Sequence, residues 1–420
     1  MRIQLAPGFR NTGKNTIGKD VLAGLILMAV SIPISMGYAQ IAGLPAVYGL
    51  YGSVFPILLF ALFSSSPQFI FGVDAAPAAL VGAALVNLDI QSESAQAMKV
   101  VPVITFMVAV WLLAFYIMKA GKLVSFISAP VMGGFITGIC TTIILMQAPK
   151  LMGGTAGTGE FPELASHIGA TLGKINVPSL VLGLVSLVIL LVAKKWIPKF
   201  PMAIVLMAAG AIMTVCLPVK QWGVHTLSAV ESGLPVWQLP DFTAISMKEA
   251  VTISLSVAVV IMAETLLAEN NFAQKNGYKI NDNQEIFTFS MGNLAAALTG
   301  CCPVNGSVSR TAMGEQYQAR TQLASVVAGV SMLVLLLFGT GFVGYLPVPV
   351  LTAIVISALL GATEFHLAVR QGPGKIHRRA PPRRRHQKAH RDTEGGPQLR
   401  RQPRGLVPHG QPLRLRQGVR

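Results

Sequence analysis

The chain has 420 residues, of which 52% are hydrophobic and 12% charged, and its mean hydropathy is +0.59. Soluble domains average roughly 25% charged residues, so a water-soluble enzyme or binding module is excluded. The net charge of +16 does not point to nucleic acid: residues 371–420 hold 14 Lys+Arg and 2 Asp+Glu, or 14 − 2 = +12, which leaves +4 for the other 370 residues.

Apolar runs of about 20 residues, enough to cross roughly 30 Å of hydrocarbon, recur along the chain. Residues 1–19 carry Arg2, Arg10, Lys14 and Lys19 with no acid and read as a cytoplasmic N-terminus. The first run, 21–36, leads into another at 46–63 with no small-residue cleavage site, so it is a first helix and not a signal peptide. Twelve spans are predicted, at about 20–38, 46–63, 74–88, 99–118, 124–147, 176–195, 200–217, 247–268, 284–299, 307–318, 321–343 and 347–361. Lys119, Lys122 and the segment KKWIPK (194–199) fall on the N-terminal side, as the positive-inside rule requires. The loops 148–175 and 218–246 fall on the other side, the first with a flexible Gly-rich segment at 153–159.

Four cysteines, Cys140, Cys216, Cys301 and Cys302, show no CxxC or His-flanked spacing. An adjacent pair makes a strained disulfide and a poor metal site, so they read as inert thiols. No metal site and no catalytic residue are expected. His167 and His225 sit in outer loops without a partner acid set, which excludes a membrane enzyme.

Spans three (74–88) and ten (307–318) are only about 12–15 residues, roughly 18–22 Å at 1.5 Å per residue. Each follows a short extended stretch bearing Gly or Pro, SSSPQFIFGVD and CCPVNG. Non-helical backbone at membrane depth is tolerated only inside protein or beside a water-filled cavity. Asp74 lies 54 residues after Asp20 and Ser307 lies 60 after Met247, with seven crossings between those two openings, so the second bundle is inverted. Paired short helices in inverted repeats point to a transporter's midplane site.

Two helix N-termini meeting there would bind an anion. Arg310, in the first turn of span ten, is a cation at the wrong end of the dipole and costs about 2.5–3.5 kcal/mol at bilayer depth. An anion or an acidic neighbour would offset that; the plainer alternative is a snorkelling arginine or a pair with Glu315. Ser307 and Ser309 offer hydroxyl donors or simple caps. Glu264, inside a span, would carry a coupling proton, coordinate Na⁺ or neutralise Arg310, against a purely structural pairing. Asp74 would cap span three or point into the cavity.

These residues resemble the SulP sulfate permease family. DVLAGLILMAVSIPISMGYAQIAGLPAVYGLYGSVFP (20–56) is similar to its first signature, FGVDAAPAALVGA (71–83) to the start of its third helix, AETLLAENNFAQKNGYKINDNQEI (263–286) to its eighth helix and following loop, and GNLAAALTGCCPVNGSVSRTAMGEQYQARTQLA (292–324) to its tenth-helix signature. The resemblance covers about residues 15–370 and implies an all-α polytopic membrane protein with a seven-plus-seven inverted-repeat, uracil-permease-like fold, about 12 of the 14 helices being present. It implies core helices at about 20–118 and 247–343 and gate helices at about 124–217 and 347–361. By motif position the anion would meet Tyr38, Asp74, Ala75, Ser307, Val308, Ser309 and Arg310, with Glu264 for the coupling ion. Two positions depart from the family: Gly72-Val73 where a Gly-Pro is usual, and Ile34 where several members have glutamine.

The function so implied is secondary active transport of a sulfate-type oxyanion or bicarbonate, with H⁺ or Na⁺ as the coupling ion, no cofactor, and an elevator-like alternating access. The partners would be a small inorganic anion, the lipid bilayer of the inner cell membrane and a second copy of the chain, and no nucleic acid. A nucleobase permease on the same fold fits a cationic Arg310 poorly. Residues 371–420 are rich in Arg, Pro, Gly, Gln and His and are expected to be disordered. They read as a frameshift product replacing helices thirteen and fourteen and a STAS domain, in which case the polypeptide would be a non-functional fragment; the alternative is a polybasic tail on the inner leaflet.

Overall fold

A computed structural model describes residues 4–10, 13–121, 129–157, 161–197, 200–227 and 233–362. The described residues all belong to one compact unit, which runs within Met1–Arg370, apart from residues 371–420. Residues 371–420 lie wholly outside the described residues, as do Lys122 and parts of the 153–159 and 194–199 segments.

This unit contains, in chain order, α1 (Lys14–Ile41), α2 (Val47–Tyr51), α3 (Phe55–Phe63), β1 (Phe71–Val73), α4 (Ala75–Asn87), α5 (Ala95–Ile117), α6 (Ala129–Leu151), α7 (Phe161–Leu172), α8 (Val177–Trp196), α9 (Met202–Cys216), α10 (Met247–Asn276), α11 (Asp282–Leu298), β2 (Val304–Gly306), α12 (Val308–Gln316), α13 (Leu323–Phe338) and α14 (Val348–Ala362). Thr16–Ile41, Ala95–Ile117, Val177–Trp196 and Met247–Asn276 are each long and apolar enough to cross a bilayer, and Val47–Phe63 reads as one broken span. With α2 and α3 counted together and α7 set aside as a short helix packed on α6, twelve spans result, in the predicted order.

Several boundaries differ, among them the end of α10, which runs to Asn276 and not 268. Helix α1 starts at Lys14, six residues before the predicted start at 20, where the Thr16 hydroxyl accepts from the Gly13 N–H and donates to the Gly13 carbonyl. Helix α5 starts at Ala95, where the Ser94 hydroxyl accepts from the Ala97 N–H. The loop after α6 holds α7, which the hydropathy pattern alone reads as loop. Helix α12 is nine residues long, shorter than expected, and ends at Gln316 with Tyr317 as its C-cap.

Packing divides the helices into two sets. In one, α5 lies on α10 and α11, α3 on α11 and α13, and α1 on α13. In the other, α6, α8 and α9 gather round α14. The sets touch where α1 and α12 meet α14 and where α4 meets α6.

The two extended stretches before α4 and α12 pair with each other. β1 and β2 run antiparallel, with Phe71 opposite Gly306, Gly72 opposite Asn305 and Val73 opposite Val304. The ladder continues as the Ser307 N–H donates to the Ile70 carbonyl at 2.8 Å. All six strand residues are buried, so the pairing satisfies backbone groups that hydrocarbon could not. Phe60, Phe71 and Phe289 stack with near-parallel rings, 4.9 and 5.6 Å from Phe71 to its two neighbours, and hold β1 between α3 and α11.

Candidate anion site

The ladder brings the start of α4 and the start of α12 to one place. Asp74 is the N-cap of α4, its Oδ1 accepting from the Ala75 N–H at 2.6 Å. Ser307 is the N-cap position of α12, but no side chain caps that helix. The Ser307 and Ser309 hydroxyls lie 3.4 Å apart, and Ser307 is within hydrogen-bonding reach of Asp74. Val308 is half-buried and packs against the core, so it offers the site only its backbone. The first-turn N–H groups of α12 are therefore free to meet a ligand, with the helix dipole behind them.

Arg310 is the largest fully buried side chain, with 1% of its surface exposed. One of its terminal nitrogens donates to the Val73 carbonyl at 2.6 Å and stands 3.7 Å from Asp74 Oδ2. Its Nε has no hydrogen-bond partner. The guanidinium lies against Gly72, where a Cβ would come within 3.0 Å of a terminal nitrogen. Arg310 thus spans the strand pair from α12 to the start of α4. It does not pair with Glu315, which instead binds Lys275 at 2.6 Å near the surface.

Glu264 on α10 is buried and accepts from Asn305 Nδ2 at 2.7 Å. It feels the charge of Asp74 but forms no ion pair with Arg310. Tyr38 on α1 is buried within electrostatic range of Asp74, Cys140, Arg310 and Glu264. The expected residues Tyr38, Asp74, Ala75, Glu264, Ser307, Ser309 and Arg310 therefore share one neighbourhood around the strand pair.

A second ring of polar residues fixes that geometry. Thr265 Oγ1 donates to Asn305 Oδ1 and accepts from the Gly306 N–H at 3.1 Å. Asn293 on α11 brackets Val304 from both sides, at 3.1 and 2.9 Å. Thr311 Oγ1 accepts from the Ile70 N–H at 3.0 Å. None of these was singled out from the sequence as a site residue. The signal was present: Thr265 adjoins Glu264, and Asn305 is a buried amide at membrane depth, although it also reads as an accidental glycosylation sequon. That sequon is buried. Cys301 and Cys302 are buried free thiols, and Cys140 is a third.

A cavity of about 280 Å³ reaches the site from the side of Lys194 and Gln316. It runs between α1, α8, α9, α12 and α14 and touches Ser309 and Ile34. Ile34 therefore puts an apolar branch on the cavity wall.

The model of the sulfate permease family matches residues 17–370. The chain belongs to the sulfate permease family. Within that family, a probable sulfate transporter of Mycobacterium tuberculosis is 29% identical over 371 residues, 87% of this chain and 66% of that protein. The chloroplastic sulfate transporter 4.1 of Arabidopsis thaliana is 29% identical over 357 residues, 83% of this chain and 52% of that protein. The chain spans between about half and two thirds of the length of these curated relatives. Among solved structures, the murine solute carrier 26 family member A9 anion transporter in its inward-facing state aligns with a TM-score of 0.77 at 22% identity, over 86% of this chain and 64% of that one. The transmembrane domain of the cyanobacterial bicarbonate transporter BicA aligns with a TM-score of 0.76 at 21% identity, over 88% of this chain and 93% of that one. This sulfate permease family member thus has the seven-plus-seven inverted-repeat transporter fold, and the relatives it matches are transporters and not enzymes.

Proposed function

We propose that this chain carries a small inorganic anion, a sulfate-type oxyanion or bicarbonate, across the inner cell membrane, with its N-terminus in the cytoplasm and two copies of the chain associated. The anion sits beside Ala75, between the first turns of α4 and α12, against Arg310, the two serine hydroxyls and the uncapped first-turn N–H groups of α12, Val308 included. The observation that carries this reading is the uncapped start of α12 held beside a buried guanidinium with one unpaired nitrogen.

Charge balance supports coupling to a cation. Arg310 contributes one positive charge, while Asp74 and Glu264 contribute two negative ones. Adding an anion to that buried set is unfavourable in a low dielectric. A proton on Glu264, or Na⁺ beside it, removes the excess, so anion and cation enter together. The cavity on the Lys194 side gives the anion a route to the cytoplasm. The division into two helix sets supports an elevator-like cycle, in which the set carrying α4, α10 and α12 slides past the set built round α14.

The test is uptake of labelled sulfate and labelled bicarbonate into liposomes holding the full chain, under imposed gradients of H⁺ or Na⁺. At least one anion is expected to accumulate faster when one cation gradient points inward. Glu264→Gln should abolish that acceleration and leave anion binding, read by ligand-induced thermal stabilisation, in place. Failure to take up either anion under every gradient would overturn the reading.

A further inference from the structure

Outside the anion site, the inner end of the first helix set holds two carboxylates that face each other. Glu269 on α10 and Glu285 in the first turn of α11 are both fully buried. Glu269 lies within hydrogen-bonding reach of Glu285. One oxygen of Glu285 accepts from the Ser65 N–H at 2.6 Å and from the Ser65 hydroxyl at 2.5 Å. Its other oxygen has no partner, and neither oxygen of Glu269 has one.

No lysine, arginine or histidine among the described residues pairs with either group. Lys275, further along α10, is taken by Glu315. The other titratable groups facing the pair are Asp282 on α11, which adds negative charge and accepts from Asn270, and Tyr278 in the α10–α11 loop. Burial, with the two carboxylates adding, pushes the Tyr278 hydroxyl up to about 12 against an opposing hydrogen bond from Ser66. Tyr278 therefore keeps its own proton and contributes no charge at neutral pH.

An ionised carboxylate only accepts hydrogen bonds. Two of them in contact, buried and without a cation, repel each other and leave three oxygens unsatisfied. One proton eases both faults: it cancels one of the two charges and makes a donor that joins two of the three oxygens. We propose that Glu269 and Glu285 form an acid pair that binds and shares a single proton at neutral pH, distinct from Glu264 and the anion site. The proton ties α10 to α11 and, through Ser65, to the segment after α3.

Replacing either acid by glutamine puts an NH₂ donor where the shared proton lies, so each single variant should fold. The pair binds a proton in the folded state that the unfolded chain releases above the ordinary glutamate range of about 4.3. Its contribution is therefore complete at low pH and is lost as pH rises.

The experiment compares the purified full chain with Glu269→Gln and Glu285→Gln. At neutral pH the wild type should show an infrared carbonyl band of a protonated acid, shifted in heavy water, that is missing from both variants. Its melting temperature should fall more steeply than theirs as pH rises above the ordinary glutamate range. Glu264 contributes equally to all three proteins and cancels. Bands of equal strength, or parallel melting curves against pH, would overturn the proposal. So would a melting temperature that follows Na⁺ at fixed pH, which assigns a metal cation to the pair, or the failure of both glutamine variants to fold.

Discussion

The two half-helices that meet at the site, α4 and α12, occupy equivalent positions in the inverted repeats yet end differently. Helix α4 has thirteen mostly apolar residues, and its N-terminus is occupied by its own Asp74. Helix α12 has nine residues, no side-chain cap and Arg310 in its first turn. The internal symmetry supplies two convergent dipoles, but only one is left open to a ligand. In the proposed site, helix α4 would serve as a scaffold whose capping acid doubles as counter-charge to Arg310, while α12 would be the recognition end.

Removing Arg310, the side chain that joins the two ends, should have the largest effect. Arg310→Ala deletes a charge-assisted bond to Val73 and the cation for the anion; charged hydrogen bonds are worth about 1.5–3 kcal/mol. Anion affinity should fall about ten- to a hundred-fold, and uptake by the reconstituted chain should be lost. Uptake that survives would remove Arg310 from the site.

Gly306→Ala attacks the support of α12. The added methyl would collide with the Phe69 ring and come within 2.5 Å of Thr265 Cγ2. Overpacking of this kind costs about 1–3 kcal/mol, so the purified variant should melt at a lower temperature than wild type. An unchanged melting temperature would mean that the strand pair yields easily.

Asp74→Asn should have the smallest effect of the three. Asparagine caps helices about as well as aspartate, so α4 should persist while the counter-charge disappears. Apparent anion affinity, measured by ligand-induced thermal shift, should tighten by about two- to ten-fold. Weaker binding would mean that Asp74 positions Arg310 more than it competes with the anion.

The order and number of spans could be read directly, because hydrocarbon thickness imposes a length on each apolar run. The shortness of spans three and ten, and the anomaly of Arg310, followed from the same constraint. What could not be read is which groups answer the demands so exposed. The sequence makes FGV (71–73) and VNG (304–306) extended and at depth, but says nothing of their being each other's partner. Glu264 is visibly costly, whereas its contact with Asn305 and the separate acid pair at Glu269 and Glu285 depend on how α10 and α11 are rotated. Helix α7 escaped because a short amphipathic turn of chain lacks the length that marks a span.

The strand pair also imposes a schedule on biosynthesis. Val73 and Arg310 are 237 residues apart. At about 5–20 residues per second, the ribosome makes the second roughly 12–47 s after the first. Throughout that interval β1 is already committed to the membrane with its backbone groups unmatched. The half-finished chain must therefore keep Phe71–Val73 solvated, or sheltered by another protein, until β2 arrives, so the segment that completes the site is also the one that ends its most vulnerable stage.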